Sequence, residues 1–139
     1  MTCAEVRTPS VEVTDELVAD LVRLGGYTHR LFAAPAAERT APVPLPGQAV
    51  LLLMGGLVEQ SGMLDDAVAL LELRHTRFRA MVTAGMSLRV GIEEIQSSTK
   101  SSGRRVTTYR WTATDGSGNA VAETEAVMLR NNPSQVVSA

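Results

Sequence analysis

The sequence predicts an α+β fold in which an antiparallel β-sheet wraps around one central apolar helix. Three observations carry this expectation. The segment QAVLLLMGGLVEQSG (Gln48 to Gly62) is apolar on nearly every side, and a helix of that kind belongs inside a protein, surrounded by other structure. From Ala67 onward apolar residues recur at every second position, the period of half-buried strands. The chain has 139 residues, which fits one domain with one core. A single domain over 1–139 is expected, with 1–10 and 131–139 as flexible tails.

The elements follow in order. Thr14 suits a helix N-cap, and Asp15 and Glu16 follow where the helix dipole favours negative charge. Leu17, Val18, Leu21, Val22 and Leu24 then recur at helical spacing, and Gly25-Gly26 ends the helix. Tyr27 to Ala34 has room for another helical turn or two. Next comes APAAERTAPVPLPG (Ala34 to Gly47) with Pro35, Pro42, Pro44 and Pro46. Proline fixes φ and removes N–H donors, so this connection is expected to be extended and irregular. Long ordered loops often belong to functional sites. Pro46 suits the entrance of the central helix and Gly62 its exit. Gly55-Gly56 in its middle costs about 1 kcal/mol per glycine in helix propensity. Two readings account for the pair: close approach of a strand or partner backbone, or passage of a substrate chain.

The strands come next. VALLELRHTRFRA (Val68 to Ala80) is the least cleanly alternating. Met86, Leu88, Val90 and Ile92 alternate with polar or small residues, as do Tyr109, Trp111 and Ala113, and then Ala120, Ala122, Thr124, Ala126 and Met128. KSSGRR and DGSGN are turns between them. VRTPSVEV (Val6 to Val13) offers a further strand at the start. The expected order is helix, loop, buried helix and a four-strand meander. A curved antiparallel sheet that buries the apolar helix satisfies this pattern. That arrangement is the hotdog fold.

Composition narrows the function. The formal net charge is −2, from 13 Lys+Arg against 15 Asp+Glu. Such a balance gives no global attraction to nucleic acid or to an anionic membrane. Lys100 is the only lysine, so any anion would be held by the forked donors of arginine. Cys3 is the only cysteine, which excludes an internal disulfide, and no metal-ligand spacing surrounds it. The opening MTCAEVRTPS has no apolar signal core. The run AVLLLMGGLV is far below the ~20 residues of a membrane span. A cytoplasmic protein is expected. Neither Gly-Gly pair forms a dinucleotide fingerprint and no phosphate loop is present, so no cofactor is expected.

From Thr14 to Leu129 the chain resembles the MaoC-like branch of the hotdog proteins, the (R)-specific enoyl hydratases and dehydratases. VTDELVADLVRL resembles the opening helix and LPGQAVLLLMGGLVEQ the glycine entrance to the central helix. TRFRAMVTAGMSLRV resembles the strand-turn-strand, and GRRVTTYRWTATDGSGNAVAETEAVML the closing strands. The family's catalytic motif reads Gly-Asp-x-Asn-Pro-x-His. The matching stretch here, Gly25-Gly26-Tyr27-Thr28-His29, keeps the histidine, lacks the Asp, Asn and Pro, and is shorter.

The resemblance implies a hydratase or dehydratase of acyl thioesters on coenzyme A or acyl carrier protein, acting as a homodimer. The shortened motif points toward secondary-metabolite or polyketide chemistry. Thioester hydrolysis and a non-catalytic acyl-binding subunit with a decayed dyad are the alternatives. The reaction needs a proton acceptor, a proton donor and a group that stabilises the enolate oxygen. His29 stands where the family places its base, and imidazole, with an ordinary pKa near ~6.5, suits that role. The N–H of Gly47, at a helix N-terminus, suits the enolate oxygen. Tyr27 and Thr28 supply hydroxyls near His29, and Gly55 leaves room for a substrate chain. Arg74, Arg77 and Arg79 flank His75 on one strand and are candidates for the phosphates of a carrier.

Overall fold

The computed structural model describes residues 5–132. Cys3, residues 1–4 and residues 133–139 lie outside the described residues. Six antiparallel strands form one sheet: β1 (Val6–Arg7), β2 (Val11–Glu12), β3 (Ala67–Phe78), β4 (Ser87–Thr99), β5 (Arg105–Thr114) and β6 (Ala120–Arg130). The strand order is β1-β4-β5-β6-β3, with β2 also paired to β4. The helices are α1 (Asp15–Gly25), α2 (Arg30–Ala33) and α3 (Gly47–Gln60), with a 3₁₀ turn at Ala36–Glu38. Within the stretch expected to be an N-terminal tail, Val6 lies opposite Ile92 and Arg7 opposite Gly91.

Local chemistry sets the helix ends. Thr14 Oγ1 accepts a hydrogen bond from the Leu17 N–H at 3.1 Å, satisfying one of the four orphan donors of α1. Gly26 closes the helix at φ 73°, a conformation that costs glycine nothing. α1 then presents Val18 and Val22 to the core.

α3 lies against the inner face of the sheet. Ala49, Val50, Met54, Leu57 and Val58 are its buried residues. They meet Leu88, Val90 and Ile92 of β4, Tyr109, Trp111 and Ala113 of β5, and Ala122 and Ala126 of β6 in one cluster. Burying a Leu- or Met-sized side chain contributes about 1.5–3 kcal/mol each. The opposite flank of α3 is uncovered by the described residues: Leu52 is 63% exposed. Among the described residues, no atom comes within 4 Å of a Cβ built on Gly55 or Gly56. The glycine pair therefore faces open space, not one of the described strands.

The strands do not run as a simple meander. β3 pairs with β6, at the sheet edge opposite β1 and β2. Its link to β4 crosses the entrance of α3, where Leu45 N–H donates to Val82 O at 2.8 Å and Pro44 bridges Thr83. The β3–β6 register sets Arg74 opposite Glu125 and Arg77 opposite Glu123, and opposite charges in facing positions favour that pairing. The register shifts at three places along β3, between Ala67/Ala69, Leu70/Glu72 and Arg74/Arg77. His75, in the last of these bulges, has φ 50°, strained backbone for any residue but glycine.

At the end of β3 away from Phe78, one carboxylate joins three strands. Arg130 at the end of β6 grips Asp66 with Nε at 3.0 Å and Nη2 at 2.8 Å, and Arg105 Nη2 reaches it at 2.9 Å. Burial disfavours the Asp66 charge, but the hydrogen bond and charge of Arg130 and the charge of Arg105 outweigh it and hold the carboxyl below its ordinary value.

Two outcomes follow from this packing. Met54 is 1% exposed, so Met54→Ala should lower the unfolding free energy by about 2–5 kcal/mol in denaturant melts. Because the folded pKa of Asp66 is depressed, its contribution is present above the unfolded carboxylate pKa and is lost as pH falls through the folded value. Asp66→Asn should therefore destabilise the protein at neutral pH. The gap from wild type should close as pH falls below about 4, which melts across that range would show.

Candidate functional site

Three segments meet at the entrance of α3: the end of the Pro-rich loop, the end of β3, and the β3–β4 link. Pro46 is the N-cap and offers no side-chain bond. The N–H groups of Ala49 and Val50 both turn back to Pro46 O, at 2.9 and 3.1 Å. No acceptor for the N–H of Gly47 or Gln48 is found among the described residues, as expected at a helix start. Gly47 lines an apolar crevice of about 240 Å³, together with Leu31, Phe32, Val50, Phe78 and Met81 among others. No lining residue carries a titratable side chain.

The space over Gly47 is filled from within the chain. A Cβ built on Gly47 would lie 3.0 Å from Cζ of Phe78, so the missing side chain makes a seat for that ring. Phe78 is half exposed, and the ring forms the wall of the crevice next to the helix N–H groups.

His29 stands in a neighbouring cleft of about 570 Å³, with Arg30, Leu31, Glu38, Arg39 and Thr40 on its walls. His29 and Gly47 line different spaces, and Leu31 lines both. His29 is the N-cap of α2, and its Nδ1 accepts the Leu31 N–H at 3.1 Å. That bond occupies the Nδ1 lone pair, so the neutral ring carries its hydrogen on Nε2 and acts there as a donor.

The other expected site residues are dispersed. Tyr27 donates its hydroxyl to Gln48 Oε1 at 3.1 Å, which ties the segment after α1 to the first turn of α3. Its ring meets Phe32 edge-on at 5.3 Å. Thr28 is exposed. Gly55 lies eight residues beyond Gly47, about 12 Å along the helix axis, on the uncovered flank. Arg74 is paired with Glu72 at 2.8 Å and Arg79 with Glu123 at 2.7 Å. His75 lines a separate cleft with Arg77, Arg110 and Glu123.

Sequence reading missed Phe32, Phe78 and Met81, which build the crevice, and Glu38 and Arg39, which face His29. The Pro-rich loop that carries the last two was the available signal.

No family model matches the sequence, and no curated protein matches it. Solved structures do. A monoamine oxidase regulatory protein from Archaeoglobus fulgius superposes with a TM-score of 0.81 at 16% identity, over 96% of this chain and 92% of that one. A MaoC-like dehydratase from Rhodospirillum rubrum gives 0.78 at 14% identity, over 95% and 93%. This chain has the hotdog fold of the MaoC-like dehydratases. An (R)-hydratase from A. caviae involved in PHA biosynthesis gives 0.71 at 18% identity, over 94% and 97%. At such identities the likeness is one of fold, and function rests on the site itself. No helix among the described residues is long and apolar enough to cross a membrane.

Proposed function

We propose that this hotdog protein binds acyl thioesters, with the acyl chain in the crevice at the entrance of α3 and the thioester oxygen toward the Gly47 and Gln48 N–H groups. The observation that carries the reading is an apolar crevice lined by Gly47, the first residue of α3, whose N–H has no acceptor among the described residues. Its volume of about 240 Å³ falls below the ~300–1,000 Å³ of sites for drug-sized ligands, which favours a short chain. For that chain to reach the helix, the Phe78 ring turns aside, as a half-exposed ring is free to do.

Hydration or dehydration of the bound thioester is a second reading, on coenzyme A or a carrier protein and in secondary-metabolite or polyketide chemistry. One observation supports it: a carboxylate, Glu38, and the Nε2–H of His29 share the adjoining cleft, an acceptor and a donor of the kinds the reaction requires. The all-apolar lining of the crevice favours binding without turnover.

We also propose a homodimer. β3 is an edge strand with Val68, Leu70, Leu71 and Leu73 exposed, and the flank of α3 with Leu52 and Gly55-Gly56 is open. Unpaired edges and contiguous apolar surface of this kind mark an interface. A second copy would cover both.

Crotonyl and 3-hydroxybutyryl thioesters test the first two readings when enoyl absorbance and free thiol are followed separately. Saturable binding with both signals flat is the expected result. Enoyl change that disappears in His29→Ala would establish hydration instead, and thiol release would establish hydrolysis. Ala80→Phe, an exposed position on the crevice wall, should weaken acyl binding by about tenfold, a change of ~1.4 kcal/mol. Light scattering should give twice the chain mass for the wild type, and Leu71→Asp with Leu52→Asp should halve it.

A further inference from the structure

A second cavity lies between α1 and the Pro-rich loop. Its volume is about 590 Å³, within the ~300–1,000 Å³ of small-molecule sites. Asp15, Val18, Ala19, Val22 and Arg23 line it from α1, the i, i+3, i+4, i+7 spacing of one helix stripe. Pro42 and Val43 line it from the loop. Val18 and Val22 are 4% and 9% exposed and belong to the core cluster, so the cavity reaches the hydrophobic core.

Tyr27 and Phe32 give it an aromatic corner, with ring centroids 5.3 Å apart and edge-on. Tyr27 is fixed at three points. Its hydroxyl donates to Gln48 Oε1, and its N–H donates to Val22 O at 3.0 Å. Its ring lies over Gly25, where a Cβ would come within 2.6 Å of Cε2. Apolar walls held in place in this way leave a ligand little reorganisation to drive.

The charges on the lining select the ligand's polar end. Arg23 is paired with Asp20 at 3.5 Å. Asp15 stands in the first turn of α1, where the helix dipole already favours its charge. Arg39 has no carboxylate within 4.0 Å among the described residues, and a guanidinium fork matches a carboxylate in two-point geometry.

We propose that this cavity binds an apolar monocarboxylate, its hydrocarbon body on Val18, Val22, Tyr27 and Phe32 and its carboxylate on Arg39. Gly47 and His29 take no part in the lining, and Phe32 is the one residue the cavity shares with the acyl crevice. The site is separate from the thioester site and does not depend on it.

Titration calorimetry with octanoate, 1-octanol and octylammonium tests the assignment. Octanoate should bind at one site per chain, about tenfold tighter than octanol, as expected for a charge-assisted contact, with octylammonium the weakest. Arg39→Gln should lower octanoate to the affinity of octanol and leave octanol unchanged. Ala19→Trp, at an exposed helix position, fills the cavity and should abolish binding of both, with the thermal midpoint near that of the wild type. Ala80→Phe, on the wall of the acyl crevice, should leave octanoate binding unchanged. Octylammonium binding as tightly as octanoate, or an octanoate affinity unmoved by Arg39→Gln, overturns the carboxylate assignment. Octanoate that still binds Ala19→Trp, or is lost in Ala80→Phe, overturns the cavity and leaves the thioester reading standing. Absence of octanoate binding to the wild type overturns the inference outright.

Discussion

Burial of one face of α3 by the sheet is the contact on which the rest of the molecule depends. Met54, Leu57 and Val58 belong to the core cluster that joins the helix to β4, β5 and β6. The strand nearest in sequence, β3, sits at the edge beyond β6, so its connection to β4 must pass the helix entrance. That passage brings Val82 to Leu45 and Phe78 to Gly47. The crevice is thus a by-product of how the sheet closes over the helix. Its walls come from segments that are far apart in sequence.

Much of the fold was legible in the sequence because it is written in periodic patterns and end signals. Thr14, the Gly25-Gly26 stop and the alternation in β4, β5 and β6 each announce a local structure. The pairing of β3 with β6 was not legible. A two-residue period says which face of a strand is buried and is silent about its neighbours. The uncovered flank of α3 escaped for a related reason. Leu52 is apolar whether its own chain or another molecule covers it, so an all-apolar helix reads as fully enclosed.

The candidate site shows the same limit. The resemblance pointed to the helix entrance and to the segment after α1, and of that segment Tyr27 bonds to Gln48 in the first turn of α3. It could not reveal that His29 and Gly47 line different spaces, because that depends on where the shortened loop folds into α2. Nor could it reveal the cap bond, which turns a residue chosen for its lone pair into a donor. The hydroxyl of Tyr27, expected to meet substrate, holds Gln48 and so fixes the segment before α2 against the first turn of α3.

The kink at His75 bears on how the molecule meets copies of itself. The outermost strand carries a greasy border, and a long regular border would recruit chain after chain into a fibre. Here the hydrogen-bonding row loses step at three points and turns away at the left-handed residue, the kind of irregularity that blunts strand-by-strand growth. The left-handed residue His75 thus breaks the regular edge that stacking of strand on strand would need.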